Sequence, residues 1–263
     1  MILAVFLLSW ISFSTSLSFV YGGWFIVLWI ILGLLVGLLM AVFTVLFHML
    51  FIHKLSLTSK YKHFFFKSVA YFVSRILLNT KIKVINQNLI PKDGKLVIYG
   101  NHKSYVDPVV VMQLANRTTA FTPKASLYKF FVFNYYFKAM GAMKVSRGND
   151  RETAKSLVEA IKNVKNGLVM TVFPEGGIIN RDNEQISSTR AGAFKMAVKS
   201  EATILPITLN GLSKMKTKPF FWPKKVVVVV HDPILFSQYN GLTTTEIAEI
   251  VMKKINDGLI KEW

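Results

Sequence analysis

The sequence predicts a mixed, partly parallel α/β sheet covered by helices and preceded by a pair of apolar helices. From Lys81 onward, short apolar runs alternate with segments of helical periodicity, a pattern typical of strands joined by helices that cover a sheet. Residues 1–53, by contrast, contain no Asp, Glu, Lys or Arg. All 32 basic and 14 acidic residues therefore follow residue 53, and so does the net charge of +18. The chain divides into an apolar N-terminal part and a strongly basic α/β part.

The N-terminal part contains a nearly uninterrupted apolar run over residues 24–51. A helix of this length measures about 42 Å, which is enough to span a hydrocarbon core of about 30 Å with some tilt. Residues 1–20 are also apolar but are interrupted by Ser and Thr, so they either cross the bilayer or lie in its interface. We favour a transmembrane hairpin over residues 1–53, with its turn at residues 21–23.

Three further features describe this hairpin. Gly33 and Gly37 have the GxxxG spacing that lets two membrane helices approach closely. Basic residues begin directly after the second apolar run, at Lys54 and Lys60, so the positive-inside rule predicts an integral membrane protein with residues 54–263 on the cytoplasmic face. The apolar start lacks a basic n-region and a small-residue cleavage site, which argues against a signal peptide.

Residues 54–79 predict a basic amphipathic helix. Lysines alternate there with aromatic and aliphatic residues, including Phe64, Tyr71 and Ile76. Two interpretations are open, because such a helix can lie on the membrane surface or pack on the core of the α/β part, and both can hold at once.

Residues 80–263 form the predicted α/β domain, without an internal repeat or a second soluble domain. Strands are predicted at residues 82–85, 96–99, 168–173, 204–209 and 226–230, and helices at residues 108–116, 152–166 and 190–200. Thr243 and Glu246 form a capping box that opens a C-terminal helix through Ile260. Pro206 interrupts an apolar strand pattern and predicts an edge strand or a strand end.

The composition restricts the chemistry and the partners. The absence of cysteine excludes disulfides, cysteine nucleophiles and thiolate zinc sites, and it is compatible with a reducing cytoplasm. A charge of +18 predicts a polyanionic partner. Because a membrane segment precedes the basic part, we expect anionic lipid head groups and phosphate-bearing substrates rather than nucleic acid.

The segment from Asn101 to Pro108 carries the strongest chemical signal. It lies between two apolar runs, which predicts a strand, a loop and then a helix with Asp107 as its N-cap. His102 and Asp107 are five residues apart, about 140° on a helix of 3.6 residues per turn, so one helix could not direct both side chains to one point. With His102 on the loop the two can meet, and the carboxylate then leaves one imidazole nitrogen free as a general base. An ordinary helix cap beside a loop histidine is the alternative.

Two later loops predict contacts with anions. Arg147 follows a glycine-containing stretch just before a helix opens, and its guanidinium could hold a phosphate through two hydrogen bonds. Glu175, Gly176 and Gly177 follow an apolar strand, at the kind of strand end where open α/β sheets place their sites. The two glycines would expose backbone N–H groups to an anion. A solvated arginine and an ordinary turn are the respective alternatives.

One similar-looking segment is interpreted as structural. His231, Asp232 and Pro233 again place a histidine and an aspartate before a proline, but the rest of the first pattern is missing there. The chain also lacks a G-x-S-x-G nucleophile elbow and a phosphate-binding G-x-x-x-x-G-K-[ST] loop.

Taken in order, these segments resemble the glycerolipid acyltransferase family over roughly residues 80–212. The family's four blocks are matched by Asn101, His102, Ser104, Asp107 and Pro108 in the first, by Arg147 in the second, by Phe173, Pro174, Glu175 and Gly176 in the third, and by Pro206 in the fourth. Gly177 and Ile178 depart from the hydroxyl and the arginine that the family carries after its third block. These departures leave open which residues bind the phosphate, and Lys124 or Arg181 could supply the missing contacts.

The resemblance implies a membrane-bound O-acyltransferase that converts 1-acylglycerol-3-phosphate (lysophosphatidic acid) into phosphatidic acid at the sn-2 hydroxyl. His102 would act as the base and Asp107 would orient it. Arg147 would anchor the phosphate, and Glu175 with the backbone of Gly176 and Gly177 would position the glycerol. A thioester of coenzyme A or acyl carrier protein would be the donor, and no cofactor or metal is expected. Another acceptor, such as glycerol-3-phosphate or another lysophospholipid, and a non-catalytic protein that binds anionic lipid are the alternatives.

Overall fold

The first of two compact units, Met1–Leu55, is an antiparallel pair of apolar helices, α1 (Ile2–Tyr21) and α2 (Ile26–Ile52). The computed structural model describes residues 1–22, 25–146, 148–215, 219 and 222–260. Both helices are long and apolar enough to cross a membrane. The predicted hairpin is therefore confirmed as a helix pair; Tyr21 ends α1, Gly22 follows with a φ of +77°, and the rest of the predicted turn lies outside the described residues.

The predicted glycine spacing is the reason that α1 and α2 can approach closely. A Cβ at Gly33 would lie 2.1 Å from the Ser14 hydroxyl oxygen, and one at Gly37 would lie 2.8 Å from the Phe6 carbonyl oxygen. The Trp10 indole N–H donates to the Ile30 carbonyl at 2.9 Å, and the Ser14 hydroxyl donates to the Trp29 carbonyl at 3.0 Å. Any side chain at these glycines would separate the helices.

The second unit, Ser56–Trp263, is built on a six-stranded mixed sheet, as the sequence predicts. Its strands are β1 (Thr80–Ile85), β2 (Leu96–Gly100), β3 (Thr119–Ala120), β4 (Val169–Val172), β5 (Thr203–Asn210) and β6 (Lys224–Val230), in the order β1-β6-β5-β2-β4-β3. All neighbouring pairs are parallel except β5 with β6. Because β2 and β4 are parallel neighbours, the loops that follow them leave the same edge of the sheet.

Helices cover this sheet, and their apolar faces supply much of the core. They are α3 (Lys60–Phe72), α4 (Asp107–Val111), α5 (Phe131–Met140), α6 (Asp150–Lys165), α7 (Lys195–Ser200), α8 (Phe236–Tyr239) and α9 (Thr244–Asp257). The predicted capping box at α9 is confirmed, because the Glu246 N–H donates to the Thr243 hydroxyl and the Glu246 carboxylate accepts from the Thr243 N–H.

The structure departs from the prediction in several elements. The helix predicted at 108–116 ends at Val111 and begins at Asp107, so Asp107 is its first residue and Val106 is the N-cap. The helix predicted at 190–200 starts with a 3-10 turn, Ala191–Phe194, before α7. Neither the two-residue strand β3 nor the helix α5 in the aromatic stretch follows from the sequence pattern.

The prediction that Pro206 marks an edge strand or a strand end is wrong, because Pro206 is the fourth residue of β5, and β5 lies in the interior of the sheet between β6 and β2. Pairing with β6 begins only at Ile207, one residue later, and the Pro206 carbonyl accepts the His231 N–H at 3.1 Å, where the chain has left β6. The proline nitrogen thus lies beyond the end of β6. The missing N–H donor therefore does not interrupt the ladder between β5 and β6, although β5 is an interior strand.

Helix α3 packs one face on the core of the second unit. Phe65, Phe66 and Ala70 are buried, whereas Tyr61 and Phe64 are exposed. Lys62 is also buried, and its ammonium group donates to the Ala139 carbonyl at 2.9 Å, which ties α3 to α5. Of the two interpretations of this segment, core packing is observed, and contact of the exposed face with a membrane stays a prediction.

Candidate active site

His102 and Asp107 meet at the carboxyl end of β2, as the sequence predicts. The His102 Nδ1–H donates to the Asp107 Oδ2 over 2.7 Å, and the Asp107 side chain is fully buried while that of His102 is 16% exposed. The same carboxylate oxygen accepts the backbone N–H groups of Lys103, at 2.7 Å, and Ser104, at 2.9 Å. Because a carboxylate can only accept, Nδ1 holds the proton and Nε2 is left with a free lone pair.

The ring of His102 is also fixed from the neighbouring strand. It stacks on Phe173, with centroids 4.4 Å apart and planes 17° from parallel. Phe173 directly follows β4, so the parallel pairing of β2 with β4 brings the first and third blocks together. The imidazole is therefore oriented by a carboxylate at its edge and an aromatic ring on its face.

Glu175 contacts the loop that carries His102, residues 101–106. Its Oε1 accepts the backbone N–H of His102 at 2.7 Å, and its Oε2 accepts the Lys103 ammonium at 2.9 Å. Both side chains of this ion pair are only 1% exposed, and Lys103 also donates to the Gln185 carbonyl at 2.7 Å. The predicted contact of Glu175 with glycerol does not match this geometry, because both carboxylate oxygens already bind protein donors. Lys103 was not singled out from the sequence, where nothing distinguishes it from a surface lysine.

Asn101 joins the same loop to β5. Its side-chain amide donates to the carbonyls of Leu209, at 2.8 Å, and Glu184, at 2.9 Å, while its oxygen accepts the Leu209 N–H at 2.7 Å. The Ser104 hydroxyl accepts the Val106 N–H at 3.2 Å inside the loop. The polar residues of the first block other than His102 thus hold the loop in shape.

Gly176 forms a tight turn rather than an open anion site. Its φ is +72°, and its N–H donates to the Phe173 carbonyl at 3.0 Å. The expectation that this N–H faces an anion is therefore wrong. A Cβ at Gly176 would lie 2.5 Å from the Arg190 Nε, so a guanidinium packs directly against the turn. Gly177 and Ile178 follow, both half-buried.

Of the three residues predicted to contact the phosphate, the structure describes Lys124 and Arg181, which lie in different surroundings. Arg147 is outside the described residues. Lys124 lines a cavity of about 470 Å³ together with Lys129, Lys144 and Ser146, so it is grouped with residues beside the second block. Arg181 lies next to the first block instead, with its guanidinium 5.5 Å from the centroid of the Tyr105 ring.

Comparison with known proteins finds a family match over the part of the chain that carries this site. Residues 81–210 match the family model named Acyltransferase. The chain is 28% identical over 189 residues to 1-acyl-sn-glycerol-3-phosphate acyltransferase of Borreliella burgdorferi, covering 70% of this chain and 75% of the relative. It is 27% identical over 208 residues to the probable enzyme of the same name from Mycoplasma pneumoniae, covering 73% and 76%. The chain belongs to the acyltransferase family.

The fold of this acyltransferase has a solved counterpart. The crystal structure of the 1-acyl-sn-glycerophosphate (LPA) acyltransferase PlsC from Thermotoga maritima superposes with a TM-score of 0.63 at 24% sequence identity. The match covers 82% of this chain and 88% of the other. Since the family model covers the four blocks, the non-catalytic alternative loses its main support, and the question becomes which acyl group is moved to which hydroxyl.

Proposed function

We propose that this acyltransferase transfers a fatty acyl group from a thioester to the sn-2 hydroxyl of 1-acylglycerol-3-phosphate, giving phosphatidic acid. The observation that carries the proposal is the oriented imidazole of His102, bound at Nδ1 by buried Asp107 and free at Nε2. Relatives from two bacteria that carry the name of this activity, each covering about 70% of the chain, support the choice of acceptor.

The reaction follows from the position of the free nitrogen. The acceptor hydroxyl is a weak nucleophile, so Nε2 of His102 takes its proton as the oxygen attacks the thioester carbonyl. Asp107 stabilises the imidazolium that forms and keeps the ring in one tautomer. The C–S bond then breaks, and the leaving thiolate takes the proton back from Nε2. The new ester and a free thiol result, without a covalent acyl-enzyme.

The remaining predicted residues have supporting roles in this proposal. Glu175 holds the backbone of His102 and the Lys103 ammonium, so it positions the base rather than the glycerol. The N–H of Gly177 replaces that of Gly176 as the candidate donor to the glycerol end. For the phosphate, Arg147 is the first candidate, with Lys124 and Arg181 as the next, because a planar guanidinium binds a phosphate through two parallel hydrogen bonds.

The setting of the reaction is the membrane surface. Both substrate and product of the proposed reaction carry acyl chains, and α1 with α2 would anchor the enzyme beside them. The basic second unit would lie at the cytoplasmic face, among anionic lipids. The donor is a thioester of either coenzyme A or acyl carrier protein, since both are anionic and the +18 chain would attract either.

A second acceptor is favoured by one specific observation. Gly177 and Ile178 replace the hydroxyl and the arginine that are expected after the third block, so the phosphate contacts differ from the family pattern. Glycerol-3-phosphate or another lysophospholipid would use the same base. The preferred acceptor must therefore be determined by experiment.

The test uses the purified full-length chain in lipid nanodiscs. Each acceptor is offered with acyl-CoA and, separately, with acyl carrier protein thioester, and product is quantified by mass spectrometry. We expect lysophosphatidic acid to be the preferred acceptor. His102→Ala should lower the rate on the order of a thousandfold or more, because it removes the base.

The matched control is His231→Gln, which changes the histidine of the similar-looking segment. His231 lies against Thr208, with 2.8 Å between Nε2 and the hydroxyl oxygen, and a glutamine amide can make the same contact. This variant should keep activity within about twofold, as expected for a change away from the reacting groups. Turnover by His102→Ala at the wild-type rate would exclude the proposed chemistry, whereas preference for another acceptor would exclude only lysophosphatidic acid.

A further inference from the structure

Four consecutive apolar residues project from the second unit at the start of α5. Phe130 is 62% exposed, Phe131 80%, Val132 44% and Phe133 47%. Single exposed apolar side chains are common on protein surfaces, but a contiguous cluster of large ones marks a contact surface. We call residues 130–133 the α5 patch.

The rest of α5 is firmly packed, so the patch is held in place. Phe137 and Met140 are buried, and the Tyr136 ring contacts the Phe66 ring of α3 with centroids 5.0 Å apart. The Lys62 ammonium bonds the Ala139 carbonyl near the end of the helix. The first turn therefore projects from a rigid support, and its exposure does not come from a loosely attached segment.

The charge around the patch is mostly positive, because the cavity beside it is lined by Lys124, Lys129 and Lys144 against one carboxylate, Glu152. Residues 108–149 contain six basic side chains and no Asp or Glu. Two of them, Lys124 and Lys129, are exposed and precede the patch directly in the chain. A cluster of aromatic side chains bordered by lysines fits the boundary between acyl chains and anionic head groups. A second copy of this chain fits poorly, because it would bring the excess positive charge of two such patches together.

We propose that the α5 patch inserts into the interfacial region of an anionic bilayer, as a membrane contact separate from the apolar hairpin. The rings of Phe130, Phe131 and Phe133 would enter the acyl boundary, and Lys124 and Lys129 would contact lipid phosphates. The contact holds the second unit against the surface where its lipid substrates lie. It does not depend on which acceptor is acylated.

The experiment measures how deeply the patch lies in the bilayer. It does not measure whether the chain binds lipid, because α1 and α2 would retain the chain in lipid in any case. The natural chain has no cysteine, so Phe131→Cys gives one labelling site for an environment-sensitive fluorophore. The full chain is reconstituted into vesicles of phosphatidylcholine and phosphatidylglycerol. We expect a blue-shifted emission that is quenched by spin-labelled lipids and protected from aqueous iodide. Phe130→Cys, at the neighbouring position, should give the same result.

The matched control is Val158→Cys on α6, which replaces an apolar residue that is 69% exposed and lies outside the patch. Its probe should be quenched by iodide and not by the lipids. Adding Lys124→Glu and Lys129→Glu to Phe131→Cys should shift the probe toward iodide access. A patch probe that behaves like the Val158 probe would overturn the proposal. Protection from both quenchers would also overturn it, because it would indicate a protein partner.

Discussion

At the scale of single residues, the geometry of His102 depends on two buried carboxylates, those of Asp107 and Glu175. Oδ2 of Asp107 receives three donors at once, the His102 ring and two backbone N–H groups of the same loop. One buried carboxylate therefore fixes both the loop and the tautomer of the base. Glu175 holds the loop from its other side. The activity of the proposed base thus depends on the conformation of the loop between β2 and α4, residues 101–106.

The buried ion pair of Lys103 with Glu175 should be a weak point of stability. In Lys103→Met, the Glu175 carboxylate stays buried without its cation, so we expect the free energy of unfolding to fall by about 3–5 kcal/mol. Thermal and denaturant unfolding in detergent micelles measure this change. Adding Glu175→Gln should recover part of the loss, because the uncompensated charge is removed. A loss below about 1 kcal/mol for Lys103→Met would show that the pair is dispensable.

His231 should make stability depend on pH. Burial, and then Lys254, lower the pKa of its imidazole below the ordinary value of 6.5, against the opposing effects of Asp257 and Asp232. As the pH falls below about 6.5, the unfolded chain takes up a proton that the folded chain does not, so the free energy of unfolding decreases. The decrease ends once the pH is below the folded-state pKa, where both states are protonated.

The measurement compares the wild type with His231→Gln, which lacks this titration. The stability advantage of the wild type should shrink between about pH 7 and pH 5, in the direction set by the lowered pKa. Other histidines, including His63, cancel in the difference. An advantage that stays constant over this range would mean that His231 is protonated equally in both states.

At the scale of elements, the sheet is largely predictable because most of its strands contain a short apolar run. Five of the six strands match predicted runs to within a few residues, since continuous apolar segments of that length fit a sheet buried on both faces. The sixth, β3, has only two residues and leaves no periodic signal. A proline removes a ladder donor, so the sequence predicts an edge strand or a strand end at Pro206. The prediction failed because the neighbouring strand ends at that point, which only the pairing reveals.

The candidate site was predictable where its residues are close in sequence. His102 and Asp107 are five positions apart, and a loop that leads into a helix can bring their side chains together. Lys103 and Glu175 are 72 residues apart, and their contact exists because β2 and β4 are parallel neighbours. The strand order could not be read from the apolar runs. The resemblance implies a substrate contact for Glu175, and its contact with the His102 loop depends on the same strand pairing.

The close approach of α1 and α2 should not tolerate a side chain at Gly33. In Gly33→Val, the new Cβ would lie 2.1 Å from the Ser14 hydroxyl oxygen and 2.9 Å from the Trp10 carbonyl oxygen, so the helices must separate. The distance between spin labels on Leu8→Cys and Leu39→Cys, two exposed positions, should increase and its distribution should broaden. Leu35→Val, an exposed position on α2, is the control and should change nothing. An unchanged distance in Gly33→Val would mean that the pair repacks without separating.

At the scale of the whole molecule, charge and apolarity are distributed unequally along the chain. Every charged side chain lies after residue 53, and the chain carries 32 basic against 14 acidic residues. This asymmetry would suit a chain that operates at a membrane surface, because the apolar part enters the lipid and the basic part attracts anionic lipids and anionic donors. The same asymmetry also predicts which side of the membrane the basic part of the chain occupies.

The predicted topology places the second unit in the cytoplasm and the connection between α1 and α2 outside. Basic residues follow α2 directly and none lies in the connection between α1 and α2, residues 22–25, so the positive-inside rule assigns the cytoplasm to the chain after residue 53. Tyr21→Cys, at the exposed end of α1, should react in intact cells with a maleimide that does not cross membranes. Lys155→Cys, on an exposed part of α6, should react only after the cells are opened. If Tyr21→Cys also required opening, α1 would lie on the cytoplasmic surface instead of crossing. If Lys155→Cys reacted in intact cells, the orientation itself would be reversed.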